Sequence, residues 1–344
     1  MSTTTTETRS LGAGGRQLSA LGVGTWAVGG PFTFDGRDAG WGEVDDAESI
    51  RALHVAIDAG VTLIDTAPTY GTGHSERIVG QALAALSATL RESVAVATKF
   101  GLRIDEDRRT GGGTDVRPEA IRAECEASLR RLGLDAVDLF QLHGGAETVA
   151  VAEDVVAACE DLLAEGKIRA FGTAQDDAET VAVFARSDGC VAVQTQVNVF
   201  GWTAATLDAA HAHGLAVLAR SPLAMGMLSG KYGTTNRPQA GDVRLDTPYW
   251  DYFDADTMPD CLQRLDTVRE LLTVGGRTLV QGALGYLLAL DPSIIPLPGI
   301  RTEQQARENA SVLAVGPLPQ AEATEITALL ADSPGTFVDV WQEH

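Results

Sequence analysis

The chain has 344 residues, 44% hydrophobic and 21% charged, with a formal net charge of −21. That length fits two domains or one large α/β barrel, and the composition supports a substantial core while excluding disordered, collagen-like and small disulfide-scaffold classes. An acidic balance repels phosphate backbones and anionic lipid, and no apolar run approaches the roughly 20 residues of a membrane-crossing helix, so neither nucleic acid nor membrane is expected as a partner.

In chain order, residues 1–9 carry neither a basic flank nor an apolar stretch and read as a disordered tail, which with the scattered cysteines points to the cytoplasm. Residues 10–344 read as a single domain. Ser10–Leu21, with Gly12-Ala13-Gly14-Gly15, reads as a short hairpin able to plug one end of a barrel. Apolar runs bounded by turn signals follow at Leu21–Thr25, Thr62–Asp65, Val94–Lys99, Ala136–Leu142, Ala170–Thr173, Ala192–Gln196, Ala216–Arg220 and Ile294–Pro298. Between them lie helical patterns at Asp46–Ala59, Ser75–Ala85, Arg117–Leu132, Val149–Glu165, Asp176–Ala185, Ala204–Ala212, Asp260–Val274 and Thr278–Ala289. Strands apolar on both faces and separated by helices pair in parallel through right-handed crossovers, and eight such units predict a (β/α)8 TIM barrel.

Asp46 and Ser75 are expected as N-caps, and Gly60, Gly133, Gly166 and Gly214 as C-terminal caps. Two long loops, Gly29–Val44 after the first strand and Pro222–Met258 after the seventh, read as functional lids. Two further helices, Thr302–Val312 and Gln320–Leu330, close the chain.

Gly22-Val23-Gly24-Thr25-Trp26-Ala27 matches a dinucleotide fingerprint, but the helix that must begin at once is replaced by a glycine-rich loop. No phosphate-binding loop, nucleophile elbow or zinc-protease motif occurs. Cys125, Cys159, Cys190 and Cys261 form no C-x-x-C pair, so neither a metal site nor a disulfide framework is expected. The positional signal is stronger. Asp65, Lys99 and His143 each close a predicted strand, 34 and 44 residues apart, at the rim where such barrels build active sites. Tyr70 follows five residues after Asp65. Taken singly, each has an ordinary reading as a helix cap or a hydrogen-bonded core group. Lys99, however, is one of only three lysines, with Lys167 and Lys231, and a lysine closing an apolar strand is costly unless paired.

A phenol has a pKa of about 10, and a nearby ammonium favours its anion. Lys99 is therefore expected to lower Tyr70, Asp65 to keep Lys99 charged, and His143 to orient a carbonyl or relay the proton. That set suits protonation of an oxygen while hydride reaches its carbon.

The strings Gly24-Thr25-Trp26, Leu63-Ile64-Asp65-Thr66-Ala67-Pro68-Thr69-Tyr70-Gly71 with Ser75-Glu76, Ala97-Thr98-Lys99-Phe100-Gly101 and Asp138-Leu139-Phe140-Gln141-Leu142-His143 resemble the aldo-keto reductase superfamily. Ser221-Pro222-Leu223-Ala224 through Ser229-Gly230-Lys231-Tyr232, and Pro298-Gly299-Ile300-Arg301 through Gln305 and Asn309, agree. The resemblance runs from about Leu11 to Leu313 and lies nearest to stress-protein-like and potassium-channel-β-like bacterial branches.

It implies Tyr70 as proton donor, Lys99 and Asp65 as its tuning pair and His143 as substrate orienter. It also implies Gln194 at the nicotinamide carboxamide, Ser221, Pro222, Leu223, Gly226, Ser229 and Lys231 at the pyrophosphate, and Gly299, Arg301, Gln305 and Asn309 at the adenosine half. Gly24, Thr25 and Trp26 border the same groove. Arg301, at a helix start, suits a 2′-phosphate and so favours NADPH over NADH.

Departures are visible. Gly172-Thr173-Ala174-Gln175 replaces the usual Gly-x-Ser-Asn, leaving Gln175 for the carboxamide, and Arg220 stands where an aromatic residue usually stacks on the nicotinamide. Gly144-Gly145 after His143 opens that side. Trp26, Phe32, Phe34, Trp41, Trp202, Tyr249, Trp250, Tyr252 and Phe253 suggest an aromatic mouth for an apolar or amphipathic carbonyl compound or a sugar face, with Trp26, Phe32, Trp41 and Trp202 foremost. The expected activity is NADPH-dependent reduction of an aldehyde or ketone, or the reverse oxidation. Still open are a redox-sensing cofactor barrel and a reductase of keto-sugars or activated C=C bonds. The partner is a small-molecule carbonyl compound, with monomer and homo-oligomer both open.

Overall fold

The computed structural model describes residues 7–245, 247 and 250–331. Eight strands, β1 (Val23–Gly24), β2 (Leu63–Asp65), β3 (Ala95–Phe100), β4 (Leu139–Leu142), β5 (Phe171–Thr173), β6 (Cys190–Asn198), β7 (Ala216–Arg220) and β8 (Ile294–Pro296), lie side by side in chain order, all parallel. The ring closes where Gly22 N–H donates to Pro296 O, Gly24 N–H to Pro298 O and Ile300 N–H to Gly24 O. Around it run α1 (Asp46–Asp58), α2 (His74–Ala84), α3 (Pro118–Leu132), α4 (Val149–Ala164), α5 (Ala178–Phe184), α6 (Ala204–Ala212), α7 (Met258–Leu272) and α8 (Leu279–Leu290). After β8 come α9 (Glu303–Ala310), a single helical turn at Val312–Val315, and α10 (Gln320–Ala331).

Side-chain alternation sorts each strand into two apolar zones. One face packs outward against the helices, as Ile64, Val96, Phe140, Val193 and Val217 do. The other fills the interior with Leu63, Ala97, Leu139, Ala192 and Leu218, together with Leu11 and Leu18. The two leucines come from the hairpin Thr8–Ser10 and Gln17–Ser19, which plugs the barrel as its position suggests. Thr8 and Arg9, assigned by composition to the tail, belong to this hairpin, and Arg9 donates to Leu288 O at 2.8 Å. Residues 1–6 lie outside the described range. Two residues beyond the apolar interior layer, the same inward face carries Asp65, Lys99, Gln141 and Gln194, so the pleat itself stacks a polar layer on an apolar one.

Two expected caps are displaced. Asp45, not Asp46, caps α1 by accepting from Glu48 N–H, while Asp46 sits in the first turn and pairs with His74. Helix α2 begins at His74 behind Gly73, whose φ of +85° only glycine adopts freely, and Ser75 instead turns inward to donate to Thr25 O and Oγ1. The four C-terminal glycines all have positive φ, as expected. The loops after β1 and β3 also build a second sheet, in which Thr33–Phe34 pairs antiparallel with Arg37–Asp38 and parallel with Thr110–Thr114, itself paired with Leu102–Asp105.

Candidate active site

Strands β2 and β3 are neighbours in the ring, and their inward-facing ends bring Asp65 and Lys99 together at its C-terminal mouth. Lys99 is 0% exposed and Asp65 3%. The Lys99 ammonium donates to Asp65 Oδ2 at 2.6 Å, Thr66 O at 2.9 Å and Tyr70 Oη at 3.1 Å, which satisfies all three of its protons. Burial acts to lower the Lys99 pKa, but the Asp65 carboxylate and the Tyr70 oxygen outweigh it and hold it above its ordinary value.

Tyr70 is presented by a turn whose backbone lies directly on Gly29: a Cβ on Gly71 would stand 1.8 Å from Gly29 O, and one on Gly29 2.5 Å from the Tyr70 carbonyl carbon. The ring is partly exposed at the mouth. Burial of the hydroxyl raises the Tyr70 pKa, with Lys99 pulling it down and Asp65 pushing it up. Lys99 thus acts in the expected direction, but burial outweighs it, and the phenol is protonated at neutral pH.

His143 follows β4, its ring centroid 6.2 Å from that of Tyr70 and its plane nearly perpendicular. Burial, then the charges of Lys99 and Arg220, holds its pKa well below the usual imidazole range, so it is neutral at pH 7. Its Nδ1 is buried without a hydrogen-bond partner among the described residues.

Arg220 at the end of β7 forms an ion pair with Asp176, which also accepts from Thr195. Gln175, beside Asp176, has its Oε1 buried without a partner among the described residues. Gln194, expected at the carboxamide, donates instead to Asp65 Oδ1 at 2.9 Å and to Gln141 Oε1 at 3.2 Å.

An aromatic wall adjoins Tyr70. Trp26 lies 6.2 Å from it in a stacked orientation and meets Trp41 and Trp250 edge-on at 5.3 and 5.5 Å. Trp41 in turn carries the Arg244 guanidinium at 4.4 Å. Phe32 and Phe253 are buried within their loops, Tyr252 is buried as the hydrogen-bond acceptor of Gln196 and Asn198, and Trp202 packs on the core near the end of β6. Tyr249 lies outside the described residues.

The seventh-strand loop begins with a tight, strained turn. Ser221, Ala224, Met225 and Gly226 take positive φ, with Leu223 between them at −107°, and the loop is wound tightly enough that the Ala224 and Gly226 N–H groups donate to Ser221 O and Leu223 O. Ser229 Oγ closes the turn by donating to Gly226 O at 2.6 Å and accepting from Lys231 N–H. Across the mouth, Gln305 accepts from Arg301 N–H and Thr302 N–H at the start of α9, and Asn309 donates to Gly299 O. Gly24 is bridged to Gly299, and Thr25 Oγ1 donates to Asp65 O. The Arg301 guanidinium donates to Trp41 O and Glu43 O, tying the first-strand loop to the groove edge.

Sequence reasoning missed Gln141 and Asp176. Gln141 had a signal: it stands two residues beyond inward-facing Leu139 on an otherwise apolar strand. Asp176 had none, because its partner Arg220 is distant in sequence. Among the described residues, no cluster of three metal-ligating side chains occurs, and no helix is long and apolar enough to cross a membrane.

Comparison with known proteins agrees with this geometry. Residues 20–331 match the model of the aldo/keto reductase family. An NADH-specific methylglyoxal reductase of Escherichia coli is 32% identical over 91% of this chain and 95% of its own, and an aldo-keto reductase of Bacillus subtilis is 30% identical over 87% and 86%. The structure of a glycerol dehydrogenase from Gluconobacter oxydans superposes with a TM-score of 0.80 at 32% identity, covering 95% of each chain. An aldo-keto reductase from Klebsiella pneumoniae in complex with NADPH shares the fold with a TM-score of 0.68 at 23% identity, covering 96% and 98%. With its motifs, barrel and lysine-paired tyrosine in agreement, the chain belongs to the aldo/keto reductase family of NAD(P)H-dependent oxidoreductases.

Proposed function

We propose that this protein reduces the carbonyl group of small aldehydes and ketones, with NADPH favoured over NADH, and runs in reverse on the corresponding alcohols. The observation that carries the reading is the single ammonium of Lys99 shared between Asp65 Oδ2 and Tyr70 Oη at the barrel mouth. The tight turn from Ser221 to Ser229 after β7 is the segment that would take a pyrophosphate, Gln175 Oε1 is an acceptor suited to a carboxamide N–H, and Arg301 stands just before α9 as a cation for the adenosine half. The bound nicotinamide would supply the hydride.

This chain's own residues handle the proton. Tyr70 Oη, protonated at neutral pH, gives its proton to the carbonyl oxygen as negative charge develops there, and the adjacent ammonium stabilises the phenolate left behind. Neutral His143 offers a ring N–H to the same oxygen and orients it. The Trp26–Trp41–Trp250 wall excludes water and receives the carbon skeleton. Methylglyoxal and glycerol, named for relatives at 32% identity, make small oxygenated compounds the first substrates to try.

The test is consumption of reduced nicotinamide with a panel of carbonyl compounds. Tyr70→Phe is expected to abolish most turnover while leaving cofactor binding nearly intact. Equal loss of both contradicts the assignment.

A further inference from the structure

We propose that Gln141 is a positioning residue of the proton-donor site: its amide holds Oδ1 of Asp65 so that Oδ2 stays aimed at Lys99, with Gln194 bracing both. The inference rests on the reading of Tyr70 as proton donor and adds a layer beneath it. Gln141 lies two residues beyond Leu139 on β4, so the pleat turns both side chains into the barrel, where Gln141 has no solvent exposure. Its Nε2 donates to Asp65 Oδ1 at 3.1 Å, and Gln194 Nε2 donates to the same oxygen at 2.9 Å and to Gln141 Oε1 at 3.2 Å. Asp65 is therefore held at both ends, by two neutral amides on one oxygen and one ammonium on the other.

This arrangement does more than fill space. A buried amide on an apolar strand is costly unless its polar atoms are used, and here they are used on the carboxylate that faces the catalytic ammonium. Donors on Oδ1 draw negative charge toward that oxygen and away from the side shared with Lys99 and Tyr70. Without them the carboxylate opposes the ammonium more strongly at the phenol. The charged and titratable groups facing Tyr70 are Lys99 from β3, Asp65 from β2, Arg220 from β7 and neutral His143 after β4. Gln141 adds no charge to this set, so its influence on Tyr70 passes through Asp65.

The test is Gln141→Met, which keeps the length and removes the donor. In the pH profile of alcohol oxidation, the limb on which activity rises as Tyr70 loses its proton is expected to move up by about half a unit to one unit, with the cofactor KM changed less than about threefold. The shift is expected to vanish in an Asp65→Asn background. A readout independent of turnover comes from tyrosine labelled with carbon-13 at Cζ. The Tyr70 resonance, identified by its absence in Tyr70→Phe, is expected to titrate at higher pH in Gln141→Met. Should that variant not fold, Gln141→Asn, which keeps an amide but draws it back from Asp65 by one methylene, carries the same test. An unmoved limb and resonance overturn the role of Gln141, as does an equal shift in the Asp65→Asn background. Those results are distinct from a wild-type profile indifferent to Tyr70→Phe, which overturns the proton-donor reading itself.

Discussion

Replacing Lys99 by methionine removes the ammonium hydrogen-bonded to the phenol, and its effect follows from distance. At an effective dielectric of about 20, a full charge on the phenolate and an ammonium 3.1 Å away attract by about 5 kcal/mol, equivalent to nearly 4 pK units. In the reductive direction the proton is only part-way transferred in the transition state, so about half of that attraction is felt there. The barrier then rises by roughly 2.5 kcal/mol and kcat falls roughly 10²-fold. The same substitution leaves Asp65 with its two glutamine donors but no counter-charge, and an unpaired buried carboxylate costs about 3–5 kcal/mol of stability. The double variant Lys99→Met/Asp65→Asn separates the two effects, since it removes the orphaned charge and is expected to recover much of the lost melting temperature without recovering turnover. Turnover across a pH range, cofactor affinity by nicotinamide fluorescence and thermal melting measure all three. Full turnover with an unchanged pH profile in Lys99→Met refutes the reasoning, and so does a loss of turnover that merely tracks a loss of cofactor binding.

Two further predictions follow from His143 and Arg301. Because the folded state holds His143 well below its unfolded pKa of 6.5, the unfolded chain binds the extra proton first on acidification. Stability from this group is therefore complete above about pH 6.5 and is lost progressively as pH falls below it. Denaturant melts of the wild type against His143→Gln at pH 7.5 and 5.5 isolate the contribution of the imidazole, and a gap that does not narrow on acidification contradicts it. Arg301→Ala removes the two carbonyl bridges to Trp41 and Glu43 as well as the cation proposed for a 2′-phosphate. NADPH affinity is expected to fall by about 1.5–3 kcal/mol more than NADH affinity, with faster proteolysis of residues 29–44, and equal losses for the two cofactors reject the phosphate role.

The barrel was legible because parallel strands buried on both faces leave a continuous apolar run that turn residues punctuate. Every predicted barrel strand matches an observed one within a few residues. The caps of α1 and α2 slipped because Asp45 and Asp46 are chemically equivalent candidates, and because a helix can begin behind a left-handed glycine with no side-chain cap at all. The second sheet carried one readable signal, the Asp35-Gly36 pair, whose φ values of +47° and +78° suit a tight hairpin turn. Its flanking strands are only two residues each, and they are completed by Thr110–Thr114, where three consecutive glycines conceal any strand propensity. Pairing of that kind is decided by the tertiary arrangement, not by the local sequence. In the site, strand ends and a scarce lysine disclosed Asp65, Tyr70, Lys99 and His143. The Arg220–Asp176 and Arg301–Trp41 links join residues 44 and 260 positions apart and became visible only when the loops were placed.

The polar layer at the barrel mouth is not what the fold needs for stability. Burying a carboxylate and an ammonium costs several kcal/mol per ion in desolvation, and a well-packed apolar pair in their place is commonly neutral or stabilising. Here Lys99 spends two of its three protons on Asp65 and Thr66, which hold it in place, and the third on Tyr70, the one partner of the three that is partly open to the mouth. The arrangement therefore converts a structural cost into a field directed at one exchangeable proton. The aromatic wall and the loops tied across it by Arg244 and Arg301 keep that field strong by keeping water away from it. A protein of net charge −21 must in addition concentrate its local cations where an anionic cofactor would lie.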